Sequence, residues 1–146
     1  MPRATIRTAV YNLLLTLVPG TFGKIAKYPL DAQLDEIAAS DFPVAEISFD
    51  GMPSEFLTNH EYLNFYDFMI VVMLDMANLK IGDCEQSMDA IHDTLINLIA
   101  THQTLNGAVD IGVVPTAARG MVIEWKSRKL YCTPFAFKCR QSIDTD

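Results

Sequence analysis

Tyr66-Asp67-Phe68-Met69-Ile70-Val71-Val72-Met73-Leu74-Asp75-Met76 is the stretch that decides the fold. Successive side chains of a strand alternate, so Phe68, Ile70, Val72 and Leu74 share one face while Met69, Val71 and Met73 share the other. Apolar residues on both faces call for a strand covered on two sides. The second cover is either helices of the same chain or a neighbouring subunit. Upstream, Pro43 opens another alternation, with Ala45, Ile47 and Phe49 set against Val44, Glu46 and Ser48. Asp50-Gly51 is expected to stop that strand. Between the two strands lies Gly51 to Phe65, too long for a tight hairpin and read as a loop rich in large apolar groups.

Downstream, Met88, Ile91, Leu95, Leu98, Ile99 and His102 keep one helical face. Asp83 is expected to cap this helix and Asn106-Gly107 to end it. Three further strands are expected over Ala108 to Val114, Met121 to Trp125 and Leu130 to Arg140. Pro134 has no N–H to give a ladder, so it points to an edge or a bulge in the last of them. At the other end, Ile6, Val10, Leu13, Leu14 and Leu17 line one face of a helix that Pro19-Gly20 closes. The text from Thr21 to Ser40 is mixed, with Leu30, Leu34 and Ile37 suggesting one short helix after Pro29. The reading is a single α+β domain over residues 1–146. Its mixed or antiparallel sheet has four to five strands, with two main helices packed on one face.

Half the residues are hydrophobic and a fifth are charged, as in ordinary globular domains. No apolar run is long enough for a membrane span, and the N-terminus lacks signal-peptide features. Charge is segregated. Residues 28–118 hold fifteen Asp or Glu against the single Lys80, whereas residues 1–27 carry four bases and no acid, and residues 119–146 six bases and three acids. That distribution argues against a DNA-coating protein and suits an electrostatically two-sided subunit.

The search for catalytic chemistry returns little. His60, His92 and His102 lack metal-ligand spacing, and no HExxH is present. Ser87, His92 and Asp93 do not form a nucleophile–base–acid order, and neither a GxSxG elbow nor a phosphate-binding glycine loop occurs. Cys84, Cys132 and Cys139 form no CxxC. Cys132 and Cys139, seven apart, should face opposite sides of one strand, and all three cysteines should be free thiols in a reducing cytoplasm. No catalytic residue, metal or cofactor is therefore expected, and surfaces carry the functional signal.

This order of elements resembles the lambda-type minor tail protein U family, the tail terminators of long-tailed phages. The resemblance lies in the helix Thr5 to Leu17, Asp41-Phe42-Pro43 leading into the strand Val44 to Asp50, the strand Phe68 to Met76, the helix Asp83 to His102 and the paired C-terminal strands. It implies a hexameric ring at the head-proximal end of a virion tail, assembled in the host cytoplasm. Such a ring stops growth of the major tail tube protein and offers its other face to the head–tail connector or adaptor, with DNA passing through its lumen. Candidate tube or ring contacts are Met52, Phe56, Leu57, Tyr62 and Phe65, large groups that a free monomer would tend to hide. Arg119, Lys126, Arg128 and Lys129 are basic candidates for the lumen or an adjacent subunit. Two other readings stay open: a head-completion or connector ring protein, and a small α+β ligand-binding or enzymatic module.

Overall fold

The computed structural model describes residues 2–30, 37–51, 54–56, 61–77, 79–105, 107, 111–112, 116–117, 120–125 and 128–144. Helix α1 spans Pro2–Leu15 and helix α2 spans Ile81–Thr101. The strands are β1 Lys24–Ala26, β2 Val44–Gly51, β3 Ser54–Phe56, β4 Glu61–Asp75, β5 Ile111–Gly112, β6 Thr116–Ala117, β7 Met121–Trp125 and β8 Arg128–Asp144. The eight segments form one sheet ordered β1-β2-β4-β8-β5, with β3 also on β4 and both β6 and β7 also on β8. They occupy five lanes, since β3 continues the lane of β2, and β5, β6 and β7 follow one another along β8. Among the described strand pairs only β1–β2 is parallel.

Register explains both covers of β4. Ala45, Ile47 and Phe49 lie opposite Val72, Ile70 and Phe68, which in turn lie opposite Thr133, Phe135 and Phe137. This face receives both helices, through Ile6, Val10, Leu13 and Leu14 of α1 and Cys84, Met88, Ile91, Leu95 and Ile99 of α2. The expected α+β domain with two helices on one face is what the chain adopts. On the reverse face, Val44, Met73, Leu130 and Cys132 form a second, smaller core with Ala26, Leu30 and Ile37, with Phe42 and Val71 packed against it. The second cover of β4 is thus the stretch after β1. Farther along the reverse face Met69 is half-buried, and Ala136 and Lys138 are exposed.

Several local expectations are corrected. The three residues of β1 pair with Val44, Ala45 and Glu46 in a region where no strand was expected. The chain runs past β2 closely enough that Gly23 N–H donates to Pro43 O at 2.9 Å. A Cβ on Gly23 would collide with the backbone of Asp41. A short 3-10 helix covers Ala39–Asp41, while the helix expected around Leu34 lies largely outside the described residues. β2 ends at Gly51, at the Asp50-Gly51 pair expected to stop it, after a register shift between Phe49 and Gly51, as at a bulge; the lane resumes in β3.

Helix α1 begins at Pro2, whose missing N–H costs nothing in a first turn. In α2 the cap is Lys80, and Asp83 stands three residues into the helix, its Oδ2 accepting the Lys80 N–H at 3.1 Å. The acidic side chain still satisfies an orphan donor, from inside the helix. The helix ends at Thr101, before the glycine expected to stop it; Leu105 and Gly107 follow with positive φ of 51° and 93°. Gly107 suits that backbone conformation, having no Cβ.

Pro134 sits inside the sheet, opposite Val71 on β4, rather than at an edge. The outer lane beside it passes from β6, ending opposite Phe135, to β7, beginning opposite Cys132. Ala136 O accepts from the Thr116 hydroxyl at 3.4 Å, so even-numbered backbone groups of β8 face this lane. The donor that proline lacks therefore falls where the lane changes segment. Of the strand expected over 108–114, Ile111–Gly112 is described. No described helix is long and apolar enough to cross a membrane.

Candidate interaction surfaces

The apolar connection expected from Gly51 to Phe65 is largely strand. Ser54, Glu55 and Phe56 pair with Asn64, Leu63 and Tyr62, and Glu61 to Phe65 pair with Asp144 to Arg140. At 15 residues β4 is about 50 Å long, beyond the usual strand length. Phe56 is therefore on β3, and Tyr62 and Phe65 are on β4, within a three-stranded extension; Met52 and Leu57 lie outside the described residues. Sequence reasoning missed the pairing because β3 is three residues long and its partner is the continuation of another strand.

Two of the four basic candidates, Arg128 and Lys129, fall within the described residues. Arg119 and Lys126 lie outside the described residues. Arg128 Nε is 3.6 Å from Asp75 Oδ2, and its guanidinium lies 5.1 Å from the Phe42 ring centroid. Lys129 is exposed and directly opposite Glu124 across β7–β8, a favourable cross-strand position for opposite charges.

A feature the sequence did not signal is a groove of about 700 Å³ between α2 and the outer lane. Its helix wall is Ile81, Glu85, Met88, Asp89 and His92, residues three and four apart that share a helical face. Met121, Val122, Tyr131, Thr133 and Phe135 form much of the sheet wall. The floor is buried at Phe135 and Met88, whereas the rim is open, with Ile81 53% and Met121 57% exposed. Val122 and Ile123 are also exposed on the same edge strand. His92 stacks obliquely on Phe135 at 5.3 Å. Among the described residues no group of three or more His, Cys, Asp and Glu is arranged to hold a metal. The groove offers apolar contact and negative charge, the chemistry of a docking surface.

The opposite edge of the sheet carries Lys24 and Lys27, with Arg7 behind them and the Glu46 carboxylate accepting the Leu30 N–H at 2.8 Å. Arg7 is buried and its Nη1 donates to Ile47 O at 2.6 Å and Lys27 O at 2.8 Å, tying α1 to β2 and to the end of β1. Burial lowers the Arg7 pKa and the nearby Tyr28 partly opposes that effect. Its guanidinium lies 4.5 Å from the ring centroid of Tyr28, a residue that is itself 58% exposed. Lys24 is exposed and Lys27 half-buried beside it.

All three cysteines are free and buried. Cys139 belongs to the helix-side core and Cys132 to the reverse one, the opposite faces expected from their spacing. Burial pushes the Cys132 thiol up to about 11, helped by Glu46, and the Cys139 thiol up to about 12, helped by Asp67. Burial, then Asp83, also raises Cys84. Thiolates are the nucleophilic form, so these are poor nucleophiles at neutral pH.

No family model matches the chain, and no curated protein does. Among solved structures the chain is similar to a chain of the virion of a native gene transfer agent particle. The TM-score is 0.53 at 14% identity, over 94% of this chain and 95% of that one. At that identity the likeness is one of fold.

Proposed function

We propose that this chain is a structural protein of a phage-like virion and, within it, a tail terminator. Copies close into a ring of six on the last ring of the tail tube, stop its growth and present the opposite face to the head–tail connector, with DNA passing through the lumen. The observation that carries the reading is fold likeness over nearly the full length of both chains to a component of a gene transfer agent virion. The two-sided charge distribution and the open groove support it, since a ring subunit needs complementary surfaces at two places. In this reading the protein is not an enzyme, and it acts by occupying a surface.

Within this proposal the extension built from β3, β4 and β8 carries the tube contact, with Met52, Phe56, Leu57, Tyr62 and Phe65 as its apolar candidates. Arg119, Lys126, Arg128 and Lys129 remain candidates for the lumen or the neighbouring subunit, with Arg128 and Lys129 also engaged within the chain. The experiment has two parts. Electron microscopy and light scattering of the purified chain should show rings of about six copies, and pull-downs should recover tail tube protein in preference to portal or adaptor. Particles carrying Phe56→Ser with Leu57→Ser should then have overlong tubes. Preferential capture of portal or adaptor would favour a head-completion ring, and a chain that never assembles and leaves tail length unchanged when deleted would refute both.

A further inference from the structure

We infer that neighbouring copies join head to tail, the basic β1 edge of one copy seating on the acidic, apolar groove beside β7 of the next, with Tyr28 entering that groove. The inference rests on the ring proposed above and names the contact that builds it.

Charge complementarity identifies the occupant. Helix α2 exposes Asp83, Glu85, Asp89 and Asp93 and contains no Lys or Arg anywhere along its length. Two of these, Glu85 and Asp89, line the groove. The first thirty residues carry Arg3, Arg7, Lys24 and Lys27 and no acid. The two surfaces cannot meet within one molecule, because β1 and β7 are the outermost lanes of the sheet. Four lane spacings separate them, about 19 Å. Matching surfaces at opposite edges of one sheet find each other between copies, in a heterologous contact that makes a closed ring when its rotation closes. The twist accumulated across five lanes turns one edge relative to the other, so successive copies rotate as well as translate.

Apolar chemistry completes the fit. Tyr28 stands 58% exposed beside Lys27, its ring held against the buried Arg7. A rigid amphipathic ring of this kind is the type of side chain that anchors interfaces. The groove supplies Ile81, Met88, Met121 and Val122 around a space of about 700 Å³, ample for one aromatic side chain. Lys24 and Lys27 then lie against Glu85 and Asp89 at the rim.

A charge exchange in the full chain tests this contact. The first variant is Lys24→Glu with Lys27→Glu, the second Glu85→Lys with Asp89→Lys, and thermal melts establish that each is folded. Each alone should fail to form rings, because both of its surfaces then bear the same sign. Mixed in equal amounts they should assemble again, the copies alternating around the ring, as read by light scattering and electron microscopy. Tyr28→Ala should shift assembly to higher concentration with an unchanged melt. Rings that form from wild type and from each variant alone would overturn this contact while leaving the ring standing. Folded variants that stay monomeric even when mixed would also overturn it. A wild type that never assembles would overturn the ring reading and this contact together.

Discussion

Arg128 on β8 and Asp75 at the end of β4 face each other within one chain, Nε to Oδ2 at 3.6 Å, with side chains only 19% and 15% exposed. The separation exceeds a hydrogen bond and marks an ion pair. Asp75 also accepts the Ala77 N–H at 3.0 Å, and Met76 N–H donates to Lys129 O, so the pair sits where the two longest strands meet. A double-mutant cycle with Arg128→Ala and Asp75→Ala should give a coupling of about 0.5–1 kcal/mol, the range for partly exposed pairs. Zero coupling together with lost assembly and an unchanged melt would assign Arg128 to an outside partner.

The two faces of β4 should differ energetically. Ile70 and Ile99 are fully or nearly fully buried between sheet and helix, so truncating either to Ala should cost about 2–5 kcal/mol. Met69, half-buried where the second core has ended, should cost less than half of that. Urea melts showing similar losses for Ile70→Ala and Met69→Ala would mean that the reverse face is covered farther along than the second core extends.

The difference between these faces also explains how much was legible in the sequence. Along β2, the Tyr66–Asp75 part of β4, and α2 the apolar spacing identifies the element, because burial on a strand or helix forces a period of two or three to four. Lys24-Ile25-Ala26 has no period to read; it is a strand because Val44 to Glu46 pair with it. Asp83 reads as the cap from sequence and stands at the third position in the helix, since a carboxylate serves a helix start from either place. The groove was illegible for a different reason: Ile81 and Met121 are forty residues apart, and only the path of the outer lane brings their segments together. The acidic run was visible as charge, but its position opposite the basic edge follows from lane order.

Gly23 should be intolerant of any side chain. Its added Cβ would meet the carbonyl and Cα of Asp41, which are backbone and cannot swing aside. The same residue gives the hydrogen bond to Pro43 that leads into the β1–β2 pairing. Gly23→Ala should therefore destabilise by about 1–3 kcal/mol, the usual cost of overpacking. A loss below about 0.5 kcal/mol in urea melts would show that this crossing is looser than its geometry indicates.

The buried thiols predict how stability responds to alkali. In the folded chain Cys132 and Cys139 hold their protons up to about 11 and about 12, against an ordinary value of 9.0. Between those values the folded state binds more protons than the unfolded state, so stability falls as pH rises. Their contribution is intact below pH 9 and is lost progressively above it, each thiol adding up to about 1.4 kcal/mol per pH unit to the slope. Replacing both with Ala should lower stability at pH 7 by opening cavities, yet flatten its decline between pH 9 and 10.5 relative to the wild type. At pH 7.5 the native chain should react with a disulfide reagent only as fast as it opens, and all three cysteines should react at once in denaturant. Rapid native labelling, or parallel alkaline slopes for the double variant and the wild type, would place these sulfurs in contact with water and contradict the burial that divides them between the two cores.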